Sequence, residues 1–550
     1  MRRYAKARIL IAHFFRRFFD NDTVQPDGDT TTSVVRAIAA VAAPGLMFAF
    51  FLQTHYPGRA PWGAIQDQYF FVLFSFVAMG TITTFAGEML FPDRIDFLVL
   101  TPLPLRHVEA LVAKAAALAG FLLLFLSGSN FFGTLLYPAI AVAKGRLWGQ
   151  LYAHGVAVAL AGAFAALSVL ALNGIMLCVL DGARFRLASP LFQMVSVSGF
   201  LLLLFHYAKY GDWIRQLLTE PLGVARWLPP LWFLALYDHL LYGAAAPRFA
   251  QALAGYASRG TLGAAIVVLI TYPLAWAQTR RRVLEGASQS RRQRLAGLSR
   301  IFHWVIVNPA GRALFHFIGQ TIRRNTRYQI YLAIYGGTGL ALAIACATVL
   351  LSKKSGVEIG LSATGLRAVL PLLLFWVVAG MRTAFAFPLN LQAAWVFRIT
   401  GGDSAACTAA ARTWVMLAAT AVMGGILAIY AIAGLSWRQL LVQTVCGACL
   451  TVLLTDGFFF QRSIPFTRPR MPGRTNFPLM LTLYVGALTP FIYGVLALEK
   501  YLEQNLFRLL LPAAVTAAVH VAVSRLHKAP MEIEEQMEGY EGEFQLLGLG

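Results

Sequence analysis

Stretches of eighteen or more predominantly apolar residues recur along nearly the whole chain, and that recurrence constrains the fold more than any other feature. Each stretch is long enough to cross a hydrocarbon core of about 30 Å as a helix. Within a bilayer every backbone polar group needs an internal partner, so only helices and closed barrels can span. A barrel would read as short segments of alternating polarity, and these do not occur. The expected fold is an all-α polytopic membrane protein. Composition agrees: 13% of residues are charged and 58% hydrophobic, about half the charge that a water-facing surface carries.

About twelve transmembrane helices are predicted, near 34–54, 68–88, 112–136, 151–180, 189–208, 260–277, 329–351, 367–387, 411–433, 439–460, 477–498 and 509–526. The fourth is long enough to tilt or bend, and the last is short. Lys and Arg set the orientation. With both termini inside, the inside segments hold roughly twice as many cations as the outside ones, the asymmetry expected of a cell-membrane protein. The largest inside block is the linker 280–327, with Arg280, Arg281, Arg282, Arg291, Arg292, Arg294 and Arg300. Both termini are therefore expected in the cytoplasm. The net charge of +21 follows from these loops; no aromatic-basic surface accompanies it, so no nucleic-acid partner is expected. Cys178, Cys346, Cys407, Cys446 and Cys449 lie mostly inside apolar runs, which implies no disulfide framework. No cleavable signal peptide is expected, since no clean apolar core precedes a small-residue cleavage site.

The hydropathy is duplicated. Adding 296 to 34–52 gives 330–348, the seventh span, and the same offset carries Phe91-Pro92 onto Phe387-Pro388. Two pseudo-symmetric six-helix halves are the simplest description, an internal symmetry common in transporters. The expected organisation is an interfacial helix in 1–33, a first half in 34–277, a basic linker with a second interfacial helix in 278–328, a second half in 329–526, and an acidic tail in 527–550. On a helix, Tyr4, Ala7, Ile11, Phe14, Phe15 and Phe18 share one face, opposite Arg2, Lys6, His13, Arg16 and Arg17. Leu314, Phe315, Ile318 and Ile322 oppose Arg312, His316, Arg323 and Arg327 in the same way. Both patterns suit helices lying in the membrane interface, with cations toward anionic headgroups. A targeting peptide is the rival reading of 1–19, but the second copy cannot be one. The tail's glutamates read as a solvated, disordered end.

The most informative stretch lies between the second and third spans. There Phe91-Pro92-Asp93-Arg94-Ile95-Asp96 is followed by Thr101-Pro102-Leu103-Pro104-Leu105-Arg106. Pro92 suits the first turn of a helix, with Asp93 and Asp96 near its positive end. Pro102 and Pro104 stop that helix, and the chain re-enters one leading into the third span. The product is a short helix across the cytoplasmic surface. This stretch resembles the coupling-helix region of ABC exporter permeases of the type V architecture, in which a run of leucine, proline, an apolar residue and arginine precedes the third span. The interfacial helix before each half and the six-span half resemble that family too. So does a long loop between spans five and six, with Trp227-Leu228-Pro229-Pro230-Leu231-Trp232-Phe233 apolar enough to dip toward the membrane.

The resemblance implies a permease contacting the lipid bilayer and separate ABC ATPase subunits, two copies, through Pro92, Asp93, Arg94, Asp96, Leu103, Pro104 and Arg106. In the second half it implies Pro388, Trp395 and Arg398, although that counterpart segment has lost nearly all its charge. It further implies a translocation path walled by Met79, Thr83, Phe200, Met381 and Phe385. No G-x-x-x-x-G-K-S/T run exists, so no cofactor is expected on this chain, and ATP and Mg would bind the partner ATPase. Leu126-Ser127-Gly128-Ser129-Asn130 faintly echoes an ATPase signature but lies inside a span.

Enzyme readings are weaker. Cys446-Gly447-Ala448-Cys449 lies within a span without histidine neighbours, as small residues at a helix contact do. Asp238-His239 reads as a polar loop pair, and Asp456 as a cap or helix-to-helix contact. Two rival functions follow from other classes. An ion-driven secondary transporter would want midmembrane ionisable groups. Glu88, Glu109, Asp181, Asp238, Asp456 and Glu499 instead fall at span ends or in loops, leaving Asn130, Asn173 and His206 to support it. A membrane-embedded transferase would need an acid/base or metal cluster, and none is evident.

Overall fold

The computed structural model describes residues 2–19, 30–54, 59, 61–90, 96–97, 100, 102–141, 147–207, 214–215, 218, 225–284, 309–353, 356–386, 404–460, 465–466 and 477–528. Its helices begin with α1 (Arg2–Phe19), α2 (Thr30–Gln53), α3 (Pro61–Leu90), α4 (His107–Ala141), α5 (Leu147–Val179) and α6 (Gly182–Phe205). They continue with α7 (Pro229–Tyr242), α8 (Arg248–Leu284), α9 (Pro309–Arg324) and α10 (Thr326–Ala347), then a hairpin, β1 (Thr348–Lys353) and β2 (Gly356–Leu361). The last are α11 (Ala363–Ala386), α12 (Ser404–Ile432), α13 (Trp437–Phe458), α14 (Phe477–Glu503) and α15 (Leu510–Lys528).

Each predicted span falls on a helix, and among the described residues ten helices hold stretches long and apolar enough to cross a membrane. The chain is a multi-pass helical membrane protein. The other two predicted spans fall on α2, whose apolar part Ala37–Gln53 is shorter, and on α14. The all-α expectation needs one correction. The seventh span was expected to reach residue 351, but its helix ends at Ala347, and Thr348–Lys353 pairs antiparallel with Gly356–Leu361. Thr348, Val349, Val357 and Ile359 are β-branched residues that favour a pleated ribbon over a helix. Elsewhere, local chemistry sets the boundaries. Pro229 and Pro230 open α7, where a missing N–H costs nothing. Gly434, at φ 80°, follows α12, and Ser436 and Gln439 then form a capping box that starts α13.

The described chain divides into two compact units. The first comprises Met1–Arg300, Gln320–Ala384 and Pro469–Leu496, and the second Ile301–Gly319, Phe385–Arg468 and Ala497–Gly550. In the first, α5 packs on α3, α4, α7 and α8 around Phe71, Leu73, Tyr137, Ala157, Leu234 and Tyr237. A Cβ on Gly162 of α5 would run into Leu126, Ser75 and Met79, so the close approach there needs glycine. Helix α6 packs along α10, with Met194 against Gly336 and Val197 against Gly337. Ser198 Oγ donates to the Gly337 carbonyl at 3.0 Å, and His206 Nε2 meets Thr348 Oγ1 at 2.8 Å. These pairs ascend together in both helices, so α6 and α10 are parallel.

The two amphipathic basic segments are helical, as α1 and α9. Helix α1 buries Leu10, Phe14 and Phe18 against Ala113, Ala117, Leu118 and Phe121 of α4, while Lys6, Arg8, His13 and Arg16 are exposed. Its buried face is turned slightly from the expected one, since Ala7 is exposed and Ile11 and Phe15 are half-buried. In the second unit Phe315 of α9 stacks on Trp414 of α12 at 4.8 Å, and Trp414 Nε1 donates to the Phe315 carbonyl. There α13 packs between α12 and α15.

Candidate functional site

Because α1 lies along α4, Arg17 in its last turn and Lys114 in the second turn of α4 reach one point. Asp96, from the segment between α3 and α4, occupies it. Lys114 Nζ donates to Asp96 Oδ2 at 2.5 Å, and Arg17 pairs with Asp96 Oδ1. The carboxylate is wholly buried, so its lost hydration is offset by these two cations. Phe14 supports the arrangement from below, its ring centroid 5.6 Å from the Lys114 ammonium. Phe97, the next residue, packs edge-on to Trp276 of α8 at 5.0 Å. The segment is thereby tied to α1, α4 and α8.

Beyond it, Leu103 N donates to the Leu100 carbonyl and Leu105 N to the Leu103 carbonyl, the stop expected of Pro102 and Pro104. Leu103 is 47% exposed, Pro104 and Arg106 are exposed, and α4 begins at His107. The Arg106 backbone N–H donates to Glu109 Oε2 at 3.2 Å, which satisfies a donor at the start of α4. Of the site residues expected from the sequence, Pro92, Asp93, Arg94, Pro388, Trp395 and Arg398 lie outside the described residues.

Lys114 was not anticipated. The signal that could have found it is a single cation in an apolar run, met again at Arg412 of α12. Arg412 also meets a buried carboxylate, but a different one. It pairs with Asp456 Oδ1 on α13, and Asp456 Oδ2 lies 2.9 Å from His520 Nδ1 on α15. Arg412 Nη1 lies 3.0 Å from His527 Nδ1, and His527 Nε2 lies 2.7 Å from the Phe460 carbonyl. A guanidinium only donates and a carbonyl only accepts. His527 is therefore neutral, with its proton on Nε2. His520 Nδ1 is also 3.4 Å from Arg412, and the shorter contact to the carboxylate assigns it the proton. Asp456 is thus the helix-to-helix contact expected of it, joining three helices.

The expected wall residues are packed in this conformation. Met79 and Thr83 are buried, with the Thr83 hydroxyl donating to the Met79 carbonyl. Phe200 covers Gly80 from α6, Met381 is buried, and Phe385 packs on Phe459 and Phe466. Asp238 and His239 are not a loop pair. They lie on α7, Asp238 buried and His239 exposed, because neighbouring helical residues point about 100° apart. Glu499, read as a span-end residue, is buried and accepts from Gln443 Nε2 at 2.8 Å. Asn130 donates to Ser75 Oγ and to the Leu126 carbonyl. Cys446 is buried, and among the described residues no three ligands gather as a metal site.

No protein-family model, no curated protein and no solved structure matches this chain.

Proposed function

We propose that this chain is the membrane-spanning permease of an ATP-driven ABC exporter, with twelve spans in two fused six-span halves and both termini cytoplasmic. ATP hydrolysis resides on separate ATPase subunits. The observation that carries the reading is Asp96, clamped between Arg17 and Lys114. A segment that transmits force must be fixed to what it moves. Charge-assisted hydrogen bonds supply about 1.5–3 kcal/mol each, and here they join the loop to the interfacial helix and the third span at once. The exposed run Pro102, Leu103, Pro104 and Arg106 at its end offers an apolar knuckle and a cation to a partner. A push on that run passes through Asp96 to α1 and α4.

Met79 and Thr83 are buried and Phe200 covers Gly80, so a path along them would open by the parting of α3 and α6. Met381 and Phe385 belong to the same proposed wall in the second half. The deciding experiment is purification with and without an ATPase partner. An ATPase should co-purify, and Asp96→Lys should leave ATP hydrolysis running while transport stops. Saturable nucleotide binding by the purified chain alone would refute the reading.

A second reading, an ion-driven secondary transporter, is favoured by the cluster of buried Arg412 and Asp456 with half-exposed His520, since an ion-coupled carrier needs ionisable groups within its helical packing. Transport in ATP-free vesicles that collapses with a protonophore would select it.

A further inference from the structure

The segment between α6 and α8 folds into α7, which docks against α3, α5 and α8 with a carboxyl group on its buried side. Asp238 is 1% exposed, and neither of its oxygens has a hydrogen-bond partner among the described residues. Its chain neighbour Tyr237 packs edge-on to His154 of α5, with ring centroids 5.7 Å apart. His154 is also 1% exposed and has both ring nitrogens unpaired among the described residues; Phe71 and Tyr137 close around it at 5.2 Å.

Among the described residues, the packed elements bring no compensating charge. Asp67 of α3 is held by Arg59, and Arg248, Tyr256 and Arg259 of α8 are exposed. Arg226, in the turn before α7, is exposed, as is His239 on α7 itself. The Tyr237 hydroxyl accepts from Gln150 Nε2 of α5 at 3.0 Å. An ionised carboxylate in such a place keeps neither its hydration nor a counter-charge, so the neutral form is favoured.

We propose that Asp238 is a proton-binding site: α7 docks with this carboxyl protonated, and loss of the proton weakens its docking. This holds under either transport reading, because it rests on the packing of α7 alone. Burial raises the Asp238 pKa from 3.8 to about 7, and α7 is not among the spanning helices. The sign follows. Below about pH 4 the carboxyl is protonated in docked and undocked states alike, and docking carries no penalty. Between about pH 4 and 7 only the docked state keeps the proton, so docking weakens roughly tenfold per pH unit. Above about pH 7 the loss is complete, roughly a thousand-fold in all.

The test uses the full chain in lipid nanodiscs. Hydrogen exchange of the peptide covering 229–242, corrected for intrinsic pH dependence, reads docking directly. In the wild type its protection should fall between about pH 5 and 7, and in Asp238→Asn, a neutral mimic of the protonated acid, it should stay flat. In parallel, an infrared band of a protonated carboxyl should disappear from the wild type near pH 7 and be missing from the variant throughout. An equal fall in both proteins would overturn the proposal, as would a wild-type carboxyl band that does not titrate. Should the variant not fold, wild-type protection that stays flat from about pH 5 to 8 is itself the refuting result.

Discussion

Replacing Lys114 with methionine removes a cation from Asp96 while keeping most of the side-chain volume. The Lys114 side chain is 4% exposed and that of Asp96 fully buried, so neither can turn to water when its partner is lost. Removing one member of a buried pair costs about 3–5 kcal/mol. Arg17 remains as a second partner, but its side chain is 35% exposed and its attraction is weakened by solvent. Lys114→Met should therefore destabilise the protein by about 2–3 kcal/mol. Asp96→Leu strands the Lys114 ammonium over Phe14, and should cost about 3–5 kcal/mol. The double variant replaces the buried pair with apolar groups, which is often close to neutral. The two singles together should thus overshoot the double by about 2 kcal/mol or more. A double-mutant cycle measured by unfolding in detergent gives the coupling directly. Additivity within about 0.5 kcal/mol would refute the claim that these groups act as one unit.

Phe14→Ala should cost about 3–5 kcal/mol and release α1, seen as new protease cleavage near the N-terminus; unchanged protection would contradict the docking described for α1. His527→Phe should cost about 1–3 kcal/mol, because it leaves Arg412 Nη1 and the Phe460 carbonyl without their partner, whereas His527→Gln should recover part of the loss. Equal unfolding midpoints for the two variants would argue against the assigned tautomer. Cysteines placed at Arg106 and Trp148 should react with an impermeant thiol reagent from opposite faces of the membrane, and same-side labelling would dismiss the proposed topology.

Helices were legible in the sequence because the bilayer demands unbroken apolar runs, and the amphipathic faces of α1 and α9 follow from a 3.6-residue period. Pro102 and Pro104 announce their turn because proline cannot continue a helix. Pairings were not legible. Arg17 and Asp96 lie 79 residues apart, and Arg412 and Asp456 lie 44 apart; nothing local in either sequence window states which carboxylate a cation will meet. Asp456 and Glu499 read as span-end groups because the apolar runs end near them, yet tertiary packing buries both. The helix α7 was hidden for a similar reason. Its prolines suggest a loop, although two prolines at a helix start are compatible with one. The hairpin after α10 was masked by hydropathy, which rates Val349, Leu350 and Leu351 equally well in a helix or a strand.

Lys114 and Arg412 both lie in the third span of a proposed half, two positions out of register at the repeat's offset of 296, and the physics of burial requires each to have an anion. The halves meet that demand differently. In the first unit the anion is Asp96, carried by the loop that leads into the span. At the offset of the repeat, Asp96 maps to Gln392, and the stretch Pro388 to Arg398 holds no acid at all. The second unit draws its anion from α13, as Asp456, with two histidines of α15 completing the shell. Once a helix supplies the counter-charge, the second loop has no electrostatic duty toward the third span, and its polar positions are free to change. The first loop has no such freedom, because substitution at Asp96 disturbs both the surface a partner would contact and the burial of Lys114. Charge reversal at Asp96 should therefore impair stability and coupling together, whereas neutral substitution at Asn390 and Gln392 should leave both intact. The asymmetry follows from where one carboxylate is attached.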